Sequence, residues 1–166
     1  MSDTTDLGAA RLRQVLGRFA TGVSVVTTLS DGHDHAMTAD TLTSVSLDPL
    51  LVLVCVQQES RFHDAVIDAG VFGASILAAD QRPVAEWLAT PGRPILGQLD
   101  RVPHARGEAT GVALISGGLG SLECRVTAVH PAGDHSIVVG EVVALSLPDD
   151  AGPGLIHYRG GYSSLA

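Results

Sequence analysis

AMTADTLTSVSLDPLLVLVCV, residues 36–56, changes character halfway along. Its second half, LLVLVCVQ over 50–57, is a run of branched apolar residues and predicts a fully buried strand. Its first half also reads as extended, yet it carries hydroxyls at Thr38, Thr41, Thr43, Ser44 and Ser46 and one carboxylate, Asp40. Asp48-Pro49 breaks the run between the two halves. Small hydroxyls beside exposed backbone N–H groups suit a bound phosphate or a polar ring edge, because they donate hydrogen bonds without a charge to neutralise when the site is empty. The plainer explanation is that Ser and Thr are at home in strands.

Outward from this stretch the β signals continue on both sides. GVSVVTTL over 22–29 and the turn Asp31-Gly32 predict a hairpin whose second strand spans 35–46. After the apolar run, Ser60 is a good N-cap for a helix over 61–69, ended by Gly70. Residues 71–78 read as a strand. Asp80 is placed to cap a following helix that tolerates Pro83 in its first turn. Residues 90–111, rich in Gly, Pro and Arg, read as a loop.

In 119–129, Leu122, Cys124, Val126 and Ala128 alternate with Ser121, Glu123, Arg125 and Thr127, which puts the two sets on opposite faces of a strand. Residues 135–147 form another long strand, and 154–162 close the chain as a tail. Before all of these, apolar residues at Ala9, Leu12, Val15, Leu16, Phe19 and Ala20 have helical spacing. About seven strands, often adjacent, and three helices predict a mainly β protein, an antiparallel barrel with peripheral helices. The expected organisation is a short flexible segment over 1–10 and one domain over 11–166.

Bulk properties exclude several classes. Of 166 residues, 45% are hydrophobic and only 4% aromatic, so a core of Val, Leu, Ile and Ala is available. The net charge is −8 and all ten basic residues are arginine, which is no footprint for nucleic acid. Cys55 and Cys124 lie in strand-like runs and read as two reduced buried thiols. No apolar run approaches a membrane span, and the polar, acidic first residues are unlike a signal peptide, so a cytoplasmic location is expected. There is no G-x-G-x-x-G after a strand, no Walker loop and no G-x-S-x-G elbow. His33 and His35 lack a third ligand at useful spacing and read as part of a solvated turn; no metal is expected.

Three constellations remain. Ser60, Arg61 and Phe62 open a helix, where unpaired N–H groups and the macrodipole favour an anion and Arg61 adds a full charge. Ser60 as a simple cap is the alternative. Gly133-Asp134-His135 enters a strand, and is otherwise an ordinary turn. His157-Tyr158-Arg159-Gly160-Gly161-Tyr162 offers aromatic rings, an arginine fork for a pyrophosphate and glycines that let a ligand approach, or else is a flexible tail.

Taken in order, FATGVSVVTT, MTADTLTSVSLDPLLVLVCV, AGVFGASILAADQ, LECRV followed by GDHSIVVGEVV, and YRGGY resemble the flavin reductase family, the small reductase components of two-component flavin-dependent monooxygenases. The resemblance spans roughly residues 12–162. It implies a split β-barrel that binds FMN (FAD being possible), commonly as a homodimer with flavin near the interface. It also implies hydride uptake from NADH or NADPH and transfer of reduced flavin, by transient or diffusive coupling, to a partner oxygenase. By motif, Thr38, Ala39, Asp40 and Thr41 would meet the flavin. Ser44, Ser60, Arg61 and Phe62 would hold the ribityl phosphate, and Cys55, Val56 and Gln57 would lie along the ring or ribityl chain. His135, Tyr158, Arg159, Gly160 and Tyr162 would face the nicotinamide nucleotide, His135 as a positioning residue. The family usually shows Asn-Ser where this chain has Asp40-Thr41, and a carboxylate cannot donate as an amide does. Two other readings stay open: a split-barrel enzyme that retains FMN and acts on another substrate, and a non-enzymatic FMN-binding protein.

Overall fold

The computed structural model describes residues 7–165. In chain order the helices are α1 (Ala9–Leu16), α2 (Arg61–Ala69) and α3 (Arg82–Ala89). The strands are β1 (Thr21–Gly22), β2 (Ser24–Ser30), β3 (His33–Ala39), β4 (Thr43–Leu47), β5 (Leu50–Gln57), β6 (Val71–Ile76), β7 (His104–Arg106), β8 (Ala113–Ile115), β9 (Gly120–Ala132), β10 (His135–Ser146), β11 (Leu155–Tyr158) and β12 (Gly161–Ser164). Of the N-terminal segment expected over 1–10, Ala9 and Ala10 already belong to α1, and residues 1–6 lie outside the described residues.

Seven strands form one sheet in the order β3-β2-β6-β9-β10-β5-β4, every neighbouring pair antiparallel. Asp31 and Gly32 both take positive φ, 52° and 76°, as the tight β2–β3 hairpin requires. The sheet curls around a core. Ala39 at one edge and Val54 and Val56 near the other share a cluster with Val26, Phe72, Cys124 and Val138. Phe62 and Val66 of α2 plug that cluster. Burying a side chain of this size contributes about 1.5–3 kcal/mol. Gly140 of β10 is required there, since a Cβ would come within 2.5 Å of the Phe72 ring. A second core lies under α3, where Ala85 and Leu88 meet Val25, Leu77, Leu99, Val102 and Leu155.

The fold is therefore antiparallel and mainly β, as expected, but the backbone ladder is open, with β3 and β4 as its edges. A side chain bridges the gap: Cys55 N–H donates to Thr41 Oγ1 at 3.0 Å. The single strand expected over 35–46 is consequently two, β3 and β4, because residues 40–42 carry the chain from one sheet edge to the other.

Other expectations change for local reasons. β5 is not fully buried: Val54 and Val56 face the core, while Leu50 and Gln57 at its ends are exposed and Cys55 is half-buried. Asp80 caps no helix; it sits in a short 3-10 turn, Ala79–Gln81, where Ala78 N–H donates to Gln81 Oε1 at 3.0 Å. The loop over 90–111 contains β7, which pairs with β8. The C-terminal residues are a hairpin and not a loose tail. Arg159 and Gly160, at φ 53° and 77°, make its turn, and β11 pairs with β1. Glu123 is buried, with three donors on one carboxylate oxygen. Burial, with Glu123 beside it, pushes the Cys124 thiol up to about 12.

α1 buries none of its residues. Leu12, Val15, Leu16 and the following Phe19 are 57–74% exposed, an apolar stripe on an otherwise polar helix.

Candidate functional site

The turn from β5 into α2 is set by one hydroxyl. Ser60 Oγ donates to Gln57 O at 2.7 Å and accepts from His63 N–H at 3.2 Å, so the helix begins one residue later with Arg61. A cleft of about 370 Å³ opens between this helix start, His35–Met37 of β3 and the segment after α3. Arg61 crosses it and donates to Arg93 O at 2.6 Å. Arg93 in turn donates to Thr90 O at 2.6 Å and Ala36 O at 2.9 Å, while its Nε is buried without a partner among the described residues.

This cleft is electropositive. Burial and then the nearby Arg61 charge hold the Arg93 guanidinium below its ordinary pKa. The same two causes, with His33, push His35 down, so its imidazole is neutral at neutral pH. Glu59 is the one carboxylate in the lining. Two mutually repelling guanidiniums, a helix N-terminus and a buried N–H without an acceptor describe a place for an anion with several oxygens. Sequence reasoning found Ser60, Arg61 and Phe62 but missed Arg93 and His35. Nothing local marks Arg93 within its Gly- and Pro-rich loop. Phe62 itself is 5% exposed and serves the core while lining the cleft.

The hydroxyl stretch lies to one side of this cleft, and much of its hydrogen bonding is internal. Thr38 Oγ1 donates to Ala85 O of α3 at 2.7 Å, so its proton is already engaged. Thr41 accepts from Cys55 N–H, which brings Thr41 and Cys55 together. Thr43 Oγ1 donates to Thr41 O at 3.1 Å. Ala39 and Val56 are buried, and Gln57 is exposed beside the turn into α2. Asp40 and Ser44 line a different cleft, of about 560 Å³, whose other wall is formed by residues 19–24. Thr21 Oγ1, on that wall, is buried without a partner among the described residues. Asp40 Oδ2 lies 3.4 Å from His157 Nδ1, a contact that ties the C-terminal hairpin to the β3–β4 connection and that sequence reasoning did not anticipate.

His135 stands at the entry to β10, directly across from Gln57. Its Nδ1 lies 2.7 Å from Asp134 Oδ1, and this hydrogen bond is the main reason the Asp134 carboxyl is held below its usual pKa. Gln58 Nε2 donates to His135 O at 2.9 Å, and Ser136 Oγ lies 3.0 Å from His63 Nε2. The Asp134-His135 turn is thus docked on the start of α2. In the hairpin, Tyr158 and Arg159 stack at 5.7 Å, whereas Tyr162 packs on the second core with Arg82 5.9 Å from its ring centre. Burial raises the Tyr162 pKa, with Glu86 and Asp40 adding to it. Gly160 belongs to the hairpin turn. Among the described residues no three His, Cys, Asp or Glu side chains gather as a metal site.

Residues 16–166 match the family described as flavin reductase like domain, and the chain belongs to that family of oxidoreductases. It is 43% identical to an NADH-dependent flavin reductase of Rhodococcus sp over 93% of this chain and 85% of the relative. It is 36% identical to an NADH-dependent FMN reductase of Streptomyces nodosus subsp. asukaensis, over 97% and 87%. Among solved structures, BorF, the flavin reductase component of a bacterial two-component tryptophan halogenase, superposes with a TM-score of 0.90 at 43% identity, covering 95% of this chain and 98% of the other. The NADH:FAD oxidoreductase SgcE6 of Streptomyces globisporus C-1027, solved with NAD and FAD fragments, gives 0.90 at 34% identity, covering 100% and 96%.

Proposed function

We propose that this chain is an NADH-dependent flavin reductase that supplies reduced flavin to a partner monooxygenase. The observation that carries the reading is the electropositive cleft at the start of α2, with the Asp134-His135 turn docked beside it. The cofactors supply the hydride chemistry when bound, the nicotinamide donating and the flavin accepting. What remains for the protein is to hold two planar molecules face to face and keep their charged arms apart. Arg61, Arg93 and the α2 N–H groups take the flavin phosphate. The Thr38–Thr41 edge, Ser44 and the Cys55–Gln57 strand end border the ring and ribityl chain. His135, oriented by Asp134, and the Tyr158–Tyr162 hairpin meet the nicotinamide nucleotide. No nucleophile or strong base is needed, and none is gathered at these positions.

FMN is the flavin assigned here, with the Arg61–Arg93 cleft offering donors for its phosphate; relatives that are named FAD and FMN reductases support either flavin. Coupling to an oxygenase is supported by relatives named as monooxygenase reductase components. The exposed stripe of Leu12, Val15, Leu16 and Phe19 supports a homodimer, with a second copy covering it. No helix among the described residues is long and apolar enough to cross a membrane; a cytoplasmic location agrees with this.

NADH oxidation by the purified protein with added FMN, added FAD or neither is the deciding assay. Turnover that needs added flavin supports the reading; turnover without it points to a retained flavin, and none at all to a binding protein. His135→Ala should raise KM for NADH about five- to tenfold, the scale of one lost hydrogen bond with its orienting partner, while leaving FMN affinity within about twofold. A loss of FMN affinity with unchanged nicotinamide kinetics would move His135 to the flavin side.

A further inference from the structure

Three of the ten basic residues in this acidic chain meet in a cleft that the proposed flavin contacts do not use. Arg13 comes from α1, Arg18 from the turn after it, and Arg159 from the β11–β12 turn. With Gln14, Gly17 and Gly160 they enclose about 360 Å³. The hairpin turn is fixed against the end of α1 by a backbone hydrogen bond, Arg159 N–H to Gly17 O at 2.7 Å. None of the three guanidiniums forms an ion pair with a carboxylate among the described residues.

That arrangement is unusual in a molecule with a net charge of −8, where eighteen carboxylates compete for ten arginines. A cation near the last turn of α1 complements the helix dipole, which accounts for Arg13 alone. It does not account for Arg159, brought from the far end of the chain. Three arginines that form no carboxylate ion pair, one of them stacked on Tyr158, line one volume, an arrangement that suits a polyanion. The cleft also adjoins the nicotinamide side, since Arg13 lies close enough to Asp134 to help hold that carboxyl below its usual pKa.

We propose that this cleft binds the pyrophosphate of the nicotinamide dinucleotide, with Arg13 and Arg18 joining Arg159 as substrate-binding residues. The assignment rests on reading the chain as an NADH-dependent flavin reductase. It makes α1 part of the substrate site: one face carries Arg13, the other the apolar stripe.

The test is the Arg13→Gln/Arg18→Gln double variant, with each single variant beside it. At saturating FMN, KM for NADH should rise about tenfold or more in the double variant with kcat within about twofold, and KM for FMN should stay within about twofold. Inorganic pyrophosphate should inhibit the wild-type protein competitively with NADH, and lose potency in the variants. Calorimetric titration of ADP-ribose into flavin-free protein reads the same site without turnover, so it decides even if the chain proves not to be a reductase. Unchanged ADP-ribose binding in folded variants overturns the proposal. So does pyrophosphate inhibition competitive with flavin, or a rise in KM confined to FAD, which would give the cleft to the pyrophosphate of that flavin. If the double variant does not fold, the inhibition pattern of the wild-type protein decides the assignment: competition with NADH supports it and competition with flavin overturns it.

Discussion

Replacing Arg61 with alanine is expected to weaken FMN binding by about ten- to 150-fold, since one charge-assisted phosphate contact contributes roughly 1.5–3 kcal/mol. The size follows from the cleft. Arg61 and Arg93 stand close enough for one charge to depress the pKa of the other, so each is stabilised when a phosphate enters. Arg61 is the better position to test, because its one side-chain hydrogen bond among the described residues is to Arg93 O. Arg93 also anchors Thr90 O and Ala36 O, and its loss would loosen the loop as well. Riboflavin, which has the ring and ribityl chain but no phosphate, is the control: its affinity should be nearly the same in both proteins. Raising the ionic strength should narrow the difference for FMN, because this pocket is open to solvent and screening acts over about 8–10 Å at physiological salt. Fluorescence titration reads all of these. An unchanged FMN dissociation constant at low and high salt would place the phosphate elsewhere, and the cleft that holds Ser44 would be next to try.

The same residues show what a sequence can convey. α2 was legible to the residue because its signals are local: Ser60 as cap, Gly70 at φ 67° as stop, and an apolar face between them. The β2–β3 turn was legible for the same reason. The purpose of the hydroxyls in 36–46 was not, because it depends on what lies across space. Thr38 serves a carbonyl of α3 and Thr41 an N–H of β5. Thr41 occurs where the chain leaves one sheet edge for the other and backbone pairing lapses, so its side chain completes the hydrogen bonding there. Ser44 and Asp40 are left on a cleft wall, and Asp40 has acquired His157 from the C-terminal hairpin as a neighbour. Arg93 could not be found for a related reason. Its partners are Ala36 and Thr90, one of them 57 residues away, and only the packing of α3 on β3 brings them together.

Glu123 is a buried carboxylate, and its replacement should cost the most stability. Alternation sets it on the face of β9 opposite Cys124, and both residues are buried, Glu123 at 5% exposed. The loop over 107–111 folds over it, and Oε2 accepts from Ala109 N–H at 3.1 Å, Thr110 N–H at 2.7 Å and Thr110 Oγ1 at 2.7 Å. Gly107 has to be glycine for this to happen, because a Cβ there would collide with the carboxylate. Glu123→Leu fills similar space but takes the acceptor away from all three donors, those of Thr110 being half-buried. Leaving such donors without their charged acceptor costs about 2–4 kcal/mol in all, a large share of the roughly 5–15 kcal/mol that holds a domain together. Glu123→Gln keeps an oxygen in place and gives up only the charge assistance, so about 1–2 kcal/mol is expected. The consequence should extend past the loop, because it leads into β8, where Ala113 and Ile115 enter the core beneath α3 and Ala113 O accepts from Thr27 Oγ1 at 2.5 Å. Urea denaturation of the three proteins measures the order. If Glu123→Leu falls within about 1 kcal/mol of wild type, the loop is held by its own backbone hydrogen bonds and the carboxylate is incidental. If Gln is as damaging as Leu, the negative charge itself, more than the hydrogen-bond geometry, fastens the loop to the sheet.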